Sequence, residues 1–599
     1  MTMVYLGAML AVLLGPCAAL YACLGLKAER TLPFSVCAQA LFLYGSGLFL
    51  PFSWGVYALC ATALACWAAF LFKTRSLRRI AGFFSVPCLA VVALTPIVYY
   101  ACCNRLYLSY DEYSHWGLIV KLISVFDELP RAGAGAAYVL YDYPPMSALW
   151  PSLACALREY REGIAYFGYS VMLLALCAGF VPSGAKAGVQ ALSLVLTALC
   201  LAVIFPFAAL RLFSEPMIAL LFVLLAFDEG DAKHPHFAAV RACVLAACLA
   251  LTKNSALLFV LMACAVRAAG FGGKEGLRRQ VFPALSALAA FASYSVYRGI
   301  HGIASAYQPE SRVGAWLSGT LEPVFASVPQ RFAEAFLTRP FPQSGVYSCY
   351  AVGVSAAVLF AALLALCAAA WCMSEDRRRD GRRLLALVLG QMGFILVTMM
   401  TYMLFFTQRE AQVLGEFDRY MSLPALIIGL SVSMLFIRHM RLGKKQAAAA
   451  AVLAAALIPL AHPQLMIDTY LTRSTVHNTL WGRDPTTPYV HFVRAHVPKG
   501  ARVFVMGASE KIAVRYELAG DAFAVSQAAP FNAQGAQEQM QASQCDYVLA
   551  TGNGQGDDAL DSRYDALMPQ GEHIAPGTLY RVQYGGDGSA QLIREAQLP

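Results

Sequence analysis

Two adjacent carboxylates, Asp111 and Glu112, directly follow a hydrophobic segment and open the first long stretch of mixed composition. A carboxylate beside a bilayer is costly unless it is paired, hydrated or used in function. One of the two could act as a general base that takes a proton from an acceptor as it attacks an activated carbon. The other could orient the acceptor or help bind a divalent cation. The structural alternative is a helix start, where acidic side chains suit the positive end of the dipole.

Aromatic residues close to this pair add secondary candidates. His115 follows within one turn, and histidine can shuttle protons near neutral pH. Trp116 is of a type enriched at membrane interfaces, which favours anchoring. Tyr143 precedes Pro144-Pro145 and is better suited to shaping a cavity than to reacting.

Three more charged residues stand at the ends of hydrophobic segments, namely Glu215, Lys253 and Arg419. A lysine or arginine at such a place can stabilise negative charge that develops on a phosphate. The simpler interpretation is that the long cationic side chains extend from a span end to water. Glu215 follows Ser214 and could equally be an acidic residue at a helix N-terminus.

The elements that position these residues are predicted to be membrane helices. The 599 residues are 59% hydrophobic and 14% charged, with many apolar runs near the roughly 20 residues that cross a bilayer. The composition predicts a polytopic α-helical membrane protein with about fourteen spans. They are expected near 4–26, 32–52, 54–72, 80–102, 163–182, 187–209, 215–228, 238–252, 254–268, 280–299, 349–372, 384–406, 421–437 and 446–466.

Charge predicts which side of the membrane each loop occupies. Five basic clusters lie in short loops, and such loops stay cytoplasmic; they are Lys27/Arg30, 73–79, 267–279, 377–383 and 438–445. Loops 103–162 and 300–348 and the tail are then outside. The net charge of +9 does not indicate nucleic-acid binding, because the excess of basic residues lies in the short loops between the predicted spans.

The tail has a soluble composition, with 10 basic and 14 acidic residues from Ile467 onward. Buried strands are predicted at 501–506, 546–550 and 579–583, alternating with helices near 489–496, 510–518 and 536–542. This alternation predicts a small extracytoplasmic α/β domain with a partly parallel sheet. The predicted domains are therefore a three-span module at 1–79, a membrane catalytic region at 80–466 and this domain at 467–599.

Several short motifs occur in a characteristic order. An acidic pair opens the first large outer loop, and apolar residues from Leu118 to Phe126 then recur at helical spacing, as in an amphipathic helix at a membrane surface. The remaining motifs are Tyr143-Pro144-Pro145, Phe213–Met217, Leu251–Ser255 and Phe417–Tyr420. The layout resembles the GT-C glycosyltransferases, most closely the branch of protein O-mannosyltransferases and lipid A aminoarabinose transferases. It departs from them in having three spans before the span that precedes the acidic motif, and in the form of that motif.

The resemblance implies a membrane enzyme that moves a sugar, with inversion, from a polyprenyl-phosphate donor to an envelope lipid, glycan or protein. Asp111 would be the base, and Glu112 would position the acceptor or a metal. Lys253 and Arg419 would hold the departing phosphate, with Glu215 in the same cavity. The site would face outward from a bacterial cytoplasmic membrane. The resemblance specifies no cofactor, and one acidic pair is compatible with a divalent cation or with none.

Other classes of function make different predictions. An O-antigen ligase or polymerase would use His301, Arg312 and Arg331 of the second outer loop, and would tolerate Asp111→Asn. A lipid or polysaccharide transporter would show charged or broken spans, often in two related halves. The chain has no internal repeat and no P-loop. A non-catalytic scaffold would survive the loss of every carboxylate named above.

Overall fold

The computed structural model describes most of the chain; the ranges are 2–107, 109, 111–131, 143–206, 208–303, 311–341, 353–439, 483–507, 511–526, 532–551, 564–586 and 589–598. Its contacts divide the chain into two compact units. Unit 1 comprises Met1–Asn104, Pro144–Ser295 and Gln308–Ser474. Unit 2 comprises Arg105–Tyr143, Val296–Tyr307 and Thr475–Pro599.

The first half of the chain is helical. In order, the helices are α1 (Thr2–Leu24), α2 (Ala28–Gly47), α3 (Phe52–Thr74), α4 (Leu77–Phe83), α5 (Val86–Cys102), α6 (Gly117–Phe126), α7 (Met146–Ala156), α8 (Glu162–Cys177), α9 (Ala187–Ile204), α10 (Ser214–Ala226), α11 (Pro235–Ala250), α12 (Ala256–Phe271), α13 (Gly273–Arg278) and α14 (Val281–Ile300). A π-helical turn covers Glu112–Trp116, and 3₁₀ turns cover Ala178–Phe180 and Ala208–Leu210.

Helices continue to residue 439. They are α15 (Val313–Leu317), α16 (Pro323–Ala326), α17 (Val328–Thr338), α18 (Ala356–Met373), α19 (Arg377–Leu404), α20 (Gln408–Val413) and α21 (Phe417–His439). The tail contributes α22 (Arg483–His496), α23 (Lys511–Leu518), α24 (Ala533–Ser543) and a 3₁₀ turn at Asp565–Leu567.

The apolar helices identify a multi-span membrane protein. Among the described residues, seven helices are long and apolar enough to cross a bilayer. The bent pair α4 and α5 would make an eighth, with a 70° angle between the two. Four shorter apolar helices, α7, α10, α11 and α12, accompany them. The number of fourteen spans therefore remains a prediction. The last predicted span, at 446–466, lies outside the described residues.

The centre of unit 1 is built on α10. All thirteen of its residues are buried, and it packs on α12 and α21. A helix that is apolar on every side is suited to the interior of a bundle. The charged residues at its two ends are therefore brought against its neighbours rather than into bulk water.

Unit 2 contains a five-stranded sheet. Its strands are β1 (Arg502–Met506), β2 (Phe523–Ser526), β3 (Tyr547–Ala550), β4 (Thr578–Tyr584) and β5 (Ala590–Gln597), in the order β2-β1-β3-β4-β5. The first three are parallel, and β4 and β5 are antiparallel to their neighbours. Strands β1, β3 and β4 lie where the sequence predicts them. Alternate residues of β1 enter two apolar cores, one on each face of the sheet.

Candidate functional site

Unit 1 brings together three residues that the sequence singled out, and we call them the Glu215 cluster. Lys253 Nζ donates a hydrogen bond to Glu215 Oε1 at 3.2 Å. Arg419 Nε lies 3.7 Å from the same carboxylate oxygen. The side chain of Glu215 is only 4% exposed, and those of Lys253 and Arg419 are 15% and 11% exposed. One buried carboxylate thus bridges two cations that are far apart in sequence.

Helix starts position the whole Glu215 cluster. Glu215 is in the first turn of α10, Lys253 just precedes α12, and Arg419 is in the first turn of α21. Aromatic rings flank the two cations. The ring of Tyr420 is 5.9 Å from Lys253 Nζ and 5.6 Å from the Arg419 guanidinium, which also lies 5.7 Å from the ring of Phe213.

The electrostatics of the Glu215 cluster favour an anion. Two of its three side chains are cationic, and the N-terminal ends of three helices add positive partial charge. Glu416 lies 3.6 Å from Arg419 Nε, but its side chain is 61% exposed and therefore well screened by water. A phosphate ester is a good match, because arginine and lysine donate charge-assisted hydrogen bonds to its oxygens.

Unit 2 contains the acidic pair, at the start of the π-helical turn. The backbone N–H of Ser109 donates to Glu112 Oε2 at 2.9 Å, and Glu112 is fully buried. Asp111 immediately precedes the turn and is partly exposed. Turns of this kind occur frequently at functional sites. Glu112 is thus suited to holding the backbone of the turn, whereas Asp111 is the carboxylate that an acceptor could reach.

His115, Trp116 and Tyr143 form an aromatic cluster in unit 2. The rings of Trp116 and Tyr143 are stacked at 5.2 Å, with 11° between their planes. The His115 ring is 4.5 Å from Trp116 and 5.4 Å from Tyr143, and its Nδ1 is 2.7 Å from Ser114 Oγ. His115 is buried, so this packing favours a structural role for all three rings.

The helix after the acidic pair packs on the C-terminal domain, within unit 2. Lys121 Nζ of α6 donates to the carbonyls of Tyr516 and Glu517 at 2.6 and 3.0 Å. These carbonyls end α23, where a cation complements the negative end of the dipole. The Tyr113 ring lies 5.1 Å from that of Tyr516. Sequence reasoning missed this packing and expected α6 to lie along the membrane surface.

The residues suggested for a ligase mostly make structural contacts. Arg312 donates to the carbonyl of Phe406 at 3.1 Å. Arg331 donates to the carbonyl of Gln412 at 2.7 Å. The His301 ring packs 4.2 Å from the ring of Tyr297.

Within the described residues, no three side chains of His, Cys, Asp or Glu are grouped as metal ligands. The divalent cation at Asp111 and Glu112 stays a prediction.

Comparisons with known proteins find similarity among solved structures alone. No protein-family model matches the chain, and no curated protein matches it. Among solved structures, the chain is similar to the Archaeoglobus fulgidus oligosaccharyltransferase, which was crystallised with an acceptor peptide tethered by a disulfide bond. The identity is 12% and the TM-score 0.39, and the match covers 85% of this chain and 74% of the other. A similarity this weak assigns neither a fold family nor an activity.

Proposed function

We propose that the chain is a membrane glycosyltransferase of GT-C type, which moves a sugar from a polyprenyl-phosphate carrier to an envelope acceptor. The observation that carries the proposal is the Glu215 cluster. Three charged residues from sequence positions 215, 253 and 419 converge where buried apolar helices begin. Charge is costly in such surroundings, so its concentration at one place indicates a function.

In this proposal, Lys253 and Arg419 bind the phosphate of the donor. The bond between the anomeric carbon and the phosphate oxygen breaks, and negative charge grows on the departing lipid phosphate. Preorganised cations stabilise that charge without having to reorganise during the reaction. Glu215 keeps the two cations in place, since it contacts both.

Asp111 acts as the general base for the acceptor hydroxyl. The acceptor is a lipid, glycan or protein of the envelope, and its oxygen attacks the anomeric carbon with inversion of configuration. The carboxylate takes up the proton of that hydroxyl as the new bond forms. Glu112 holds the turn that presents Asp111, through its hydrogen bond from the Ser109 N–H.

The proposed location is a bacterial cytoplasmic membrane with the reaction on its outer face. Basic residues of four sequence clusters collect at the opposite end of unit 1 from the Glu215 cluster. Arg267 and Arg438 lie near the ends of α12 and α21, and Arg383 lies near the start of α19. Basic ends of this kind face the cytoplasm. The C-terminal α/β domain is proposed to be extracytoplasmic, as the charges of the loops in the sequence predict, and to help bind the acceptor.

The test is mass spectrometry of envelope glycans and of polyprenyl-phosphate sugars in a deletion strain that carries complementing variants. Asp111→Asn removes the base, so one modification should be lost while a lipid-linked sugar accumulates. Asp127→Asn is the matched control. Asp127 ends α6 with a left-handed φ of 56°, which asparagine also tolerates, so this variant should restore the native profile.

Both variants must reach the membrane at the native level. If Asp111→Asn restores the native profile, Asp111 is not the base, and a ligase, transporter or scaffold explains the chain better. The mass of the lipid-linked sugar that accumulates would identify the donor.

A further inference from the structure

A second charged region lies in unit 1, at the end of the helices opposite to the Glu215 cluster. It surrounds a cavity of about 480 Å³ where α10 and α21 end and α2 and α19 begin. The reaction proposed above does not use this cavity. The residues that line it are nevertheless suited to a ligand other than the sugar donor.

Guanidinium groups form one part of the cavity wall, contributed by Arg30, Arg241, Arg379 and Arg438. Carboxylates pair with them, and Glu375, Asp376 and Asp380 also line the cavity. Glu229 Oε1 lies 3.0 Å from both Arg379 and Arg438, while Asp228 pairs with Arg241 and Asp231 with Arg30. Most of these side chains are partly exposed and could add a phosphate to the carboxylate partners that they already have.

Apolar side chains form another part of the wall, contributed by Pro33, Phe180, Leu224, Phe227, Leu245 and Met434. These residues come from helices and turns of the apolar bundle. The cavity therefore offers charged and apolar surfaces side by side, as the headgroup and glycerol region of a phospholipid require.

Glu29 stands out among the described residues that line this cavity, because both of its carboxylate oxygens lack a close hydrogen-bond donor. It lines the cavity, only 3% of the residue is exposed, and neither carboxylate oxygen accepts a hydrogen bond of ordinary length from the described residues. A buried polar group without a hydrogen-bond partner is costly. A ligand that donates hydrogen bonds, and carries positive charge, would remove that cost.

We propose that this cavity binds the phosphoethanolamine headgroup of a phospholipid. The phosphate lies against Arg379 and Arg438, and the primary ammonium donates to Glu29. The headgroup of phosphatidylglycerol can donate from a hydroxyl but brings no positive charge to Glu29. The quaternary ammonium of phosphatidylcholine has no N–H to donate. The apolar wall favours the lipid over free phosphoethanolamine, which would leave that wall in contact with water.

The binding reaction is independent of glycosyl transfer and can be measured without a sugar donor. Purified full-length protein in detergent is titrated with phosphatidylethanolamine, phosphatidylcholine or phosphatidylglycerol of identical chains, and bound lipid is counted by native mass spectrometry. The native protein should prefer phosphatidylethanolamine by about tenfold, which corresponds to one charge-assisted hydrogen bond. Glu29→Gln should remove that preference.

Glu275→Gln is the matched control for the carboxylate. Glu275 is an exposed residue of α13 that pairs with Arg279 outside the cavity, so lipid preference should be unchanged. Arg379→Gln tests the phosphate separately and should weaken phosphatidylethanolamine and phosphatidylglycerol alike. It also keeps the proposal testable if Glu29→Gln does not fold.

Three results would overturn the assignment. The first is native protein that binds the three lipids equally. The second is survival of the native binding in a variant, either the lipid preference in Glu29→Gln or the affinity in Arg379→Gln. The third is displacement of the lipid by free phosphoethanolamine at equal concentration, which would show that the acyl chains and apolar wall contribute nothing.

Discussion

Glu215→Gln should lower the stability of the protein and raise its affinity for phosphate. The native carboxylate is bridged by Lys253 Nζ at 3.2 Å and Arg419 Nε at 3.7 Å. The amide keeps the size of the side chain and removes its charge. Two neighbouring cations in buried surroundings then lose their common counter-ion.

The structure sets the expected magnitude. Breaking a buried ion pair by removing one partner costs about 3–5 kcal/mol, because an uncompensated charge stays buried. Lys253 and Arg419 keep some contact with water, at 15% and 11% exposure of their side chains, which places the cost at the lower end. Lys253→Met leaves Glu215 with Arg419 and should cost less, about 1–2 kcal/mol.

The affinity for a lipid phosphate should change in the opposite direction. In native protein Glu215 competes with the phosphate for both cations, and in Glu215→Gln it does not. The assay is thermal unfolding in detergent, with and without a short polyprenyl phosphate. A ligand that binds only the folded state raises the stability according to its affinity. Without ligand, we expect Glu215→Gln to have a lower melting temperature than native protein. Polyprenyl phosphate should then raise the melting temperature of Glu215→Gln more than that of native protein, and that of Lys253→Met only a little.

Two outcomes would refute this reasoning. If Glu215→Gln is as stable as native protein, the three side chains are solvated and the cluster is an ordinary set of surface charges. If its stability falls and polyprenyl phosphate then has no effect, Glu215 itself contacts the ligand. The proposed division of roles would be wrong in either case.

Three further predictions concern other parts of the chain. Burial disfavours ionised Glu229, but three neighbouring arginines outweigh burial and lower its pKa. Its stabilisation is therefore complete above the unfolded value of about 4.3 and lost as pH falls further, so acid should lower the melting temperature of native protein more than that of Glu229→Gln. Burial raises the pKa of the Cys545 thiol to about 12, so maleimide at pH 8.5 should label it only after denaturation. Because Cys23 and Cys372 are exposed, the labelled residue is identified by peptide mass spectrometry, and rapid labelling of Cys545 itself in native protein would contradict its burial. In Gly168→Ala the new Cβ would lie 2.7 Å from Ala154 Cβ, between α8 and α7, and should cost about 1–3 kcal/mol in thermal unfolding. Gly188→Ala in α9, with open space around it, should instead be neutral or slightly stabilising.

Strand prediction from the sequence succeeded where a run of buried residues is continuous. Four of the five residues in β1 are fully buried, and the apolar run is visible in the sequence. Strand β5 was missed because its residues alternate between buried and exposed positions and include Arg594 and Glu595. Its hydrogen bonds to β4 define it as a strand, and sequence alone does not display that pairing.

The candidate site could be predicted as a set of residues but not as a set of contacts. Lys253 and Arg419 were notable because cations at the ends of apolar segments are conspicuous. Their shared contact with Glu215 depends on how three helices pack, which no local pattern encodes. The same holds for Lys121, whose carbonyl partners in α23 are nearly 400 residues away in sequence. The cavity that Glu29 lines likewise forms only when helices far apart in sequence pack together.

The three central helices of unit 1 explain why charge collects at two places. Helices α10, α12 and α21 run in the same direction, since Glu215 contacts Lys253 and Arg419 at their starts, while acidic residues just after α10 contact Arg267 and Arg438 at the other ends. Sliding one helix by a single turn, about 5.4 Å, would break ion pairs at both ends together. Apolar packing between uniformly hydrophobic helices sets such a register only weakly, because many registers bury similar side chains. The ion pairs therefore select one register, and that register holds Lys253 and Arg419 beside the same carboxylate.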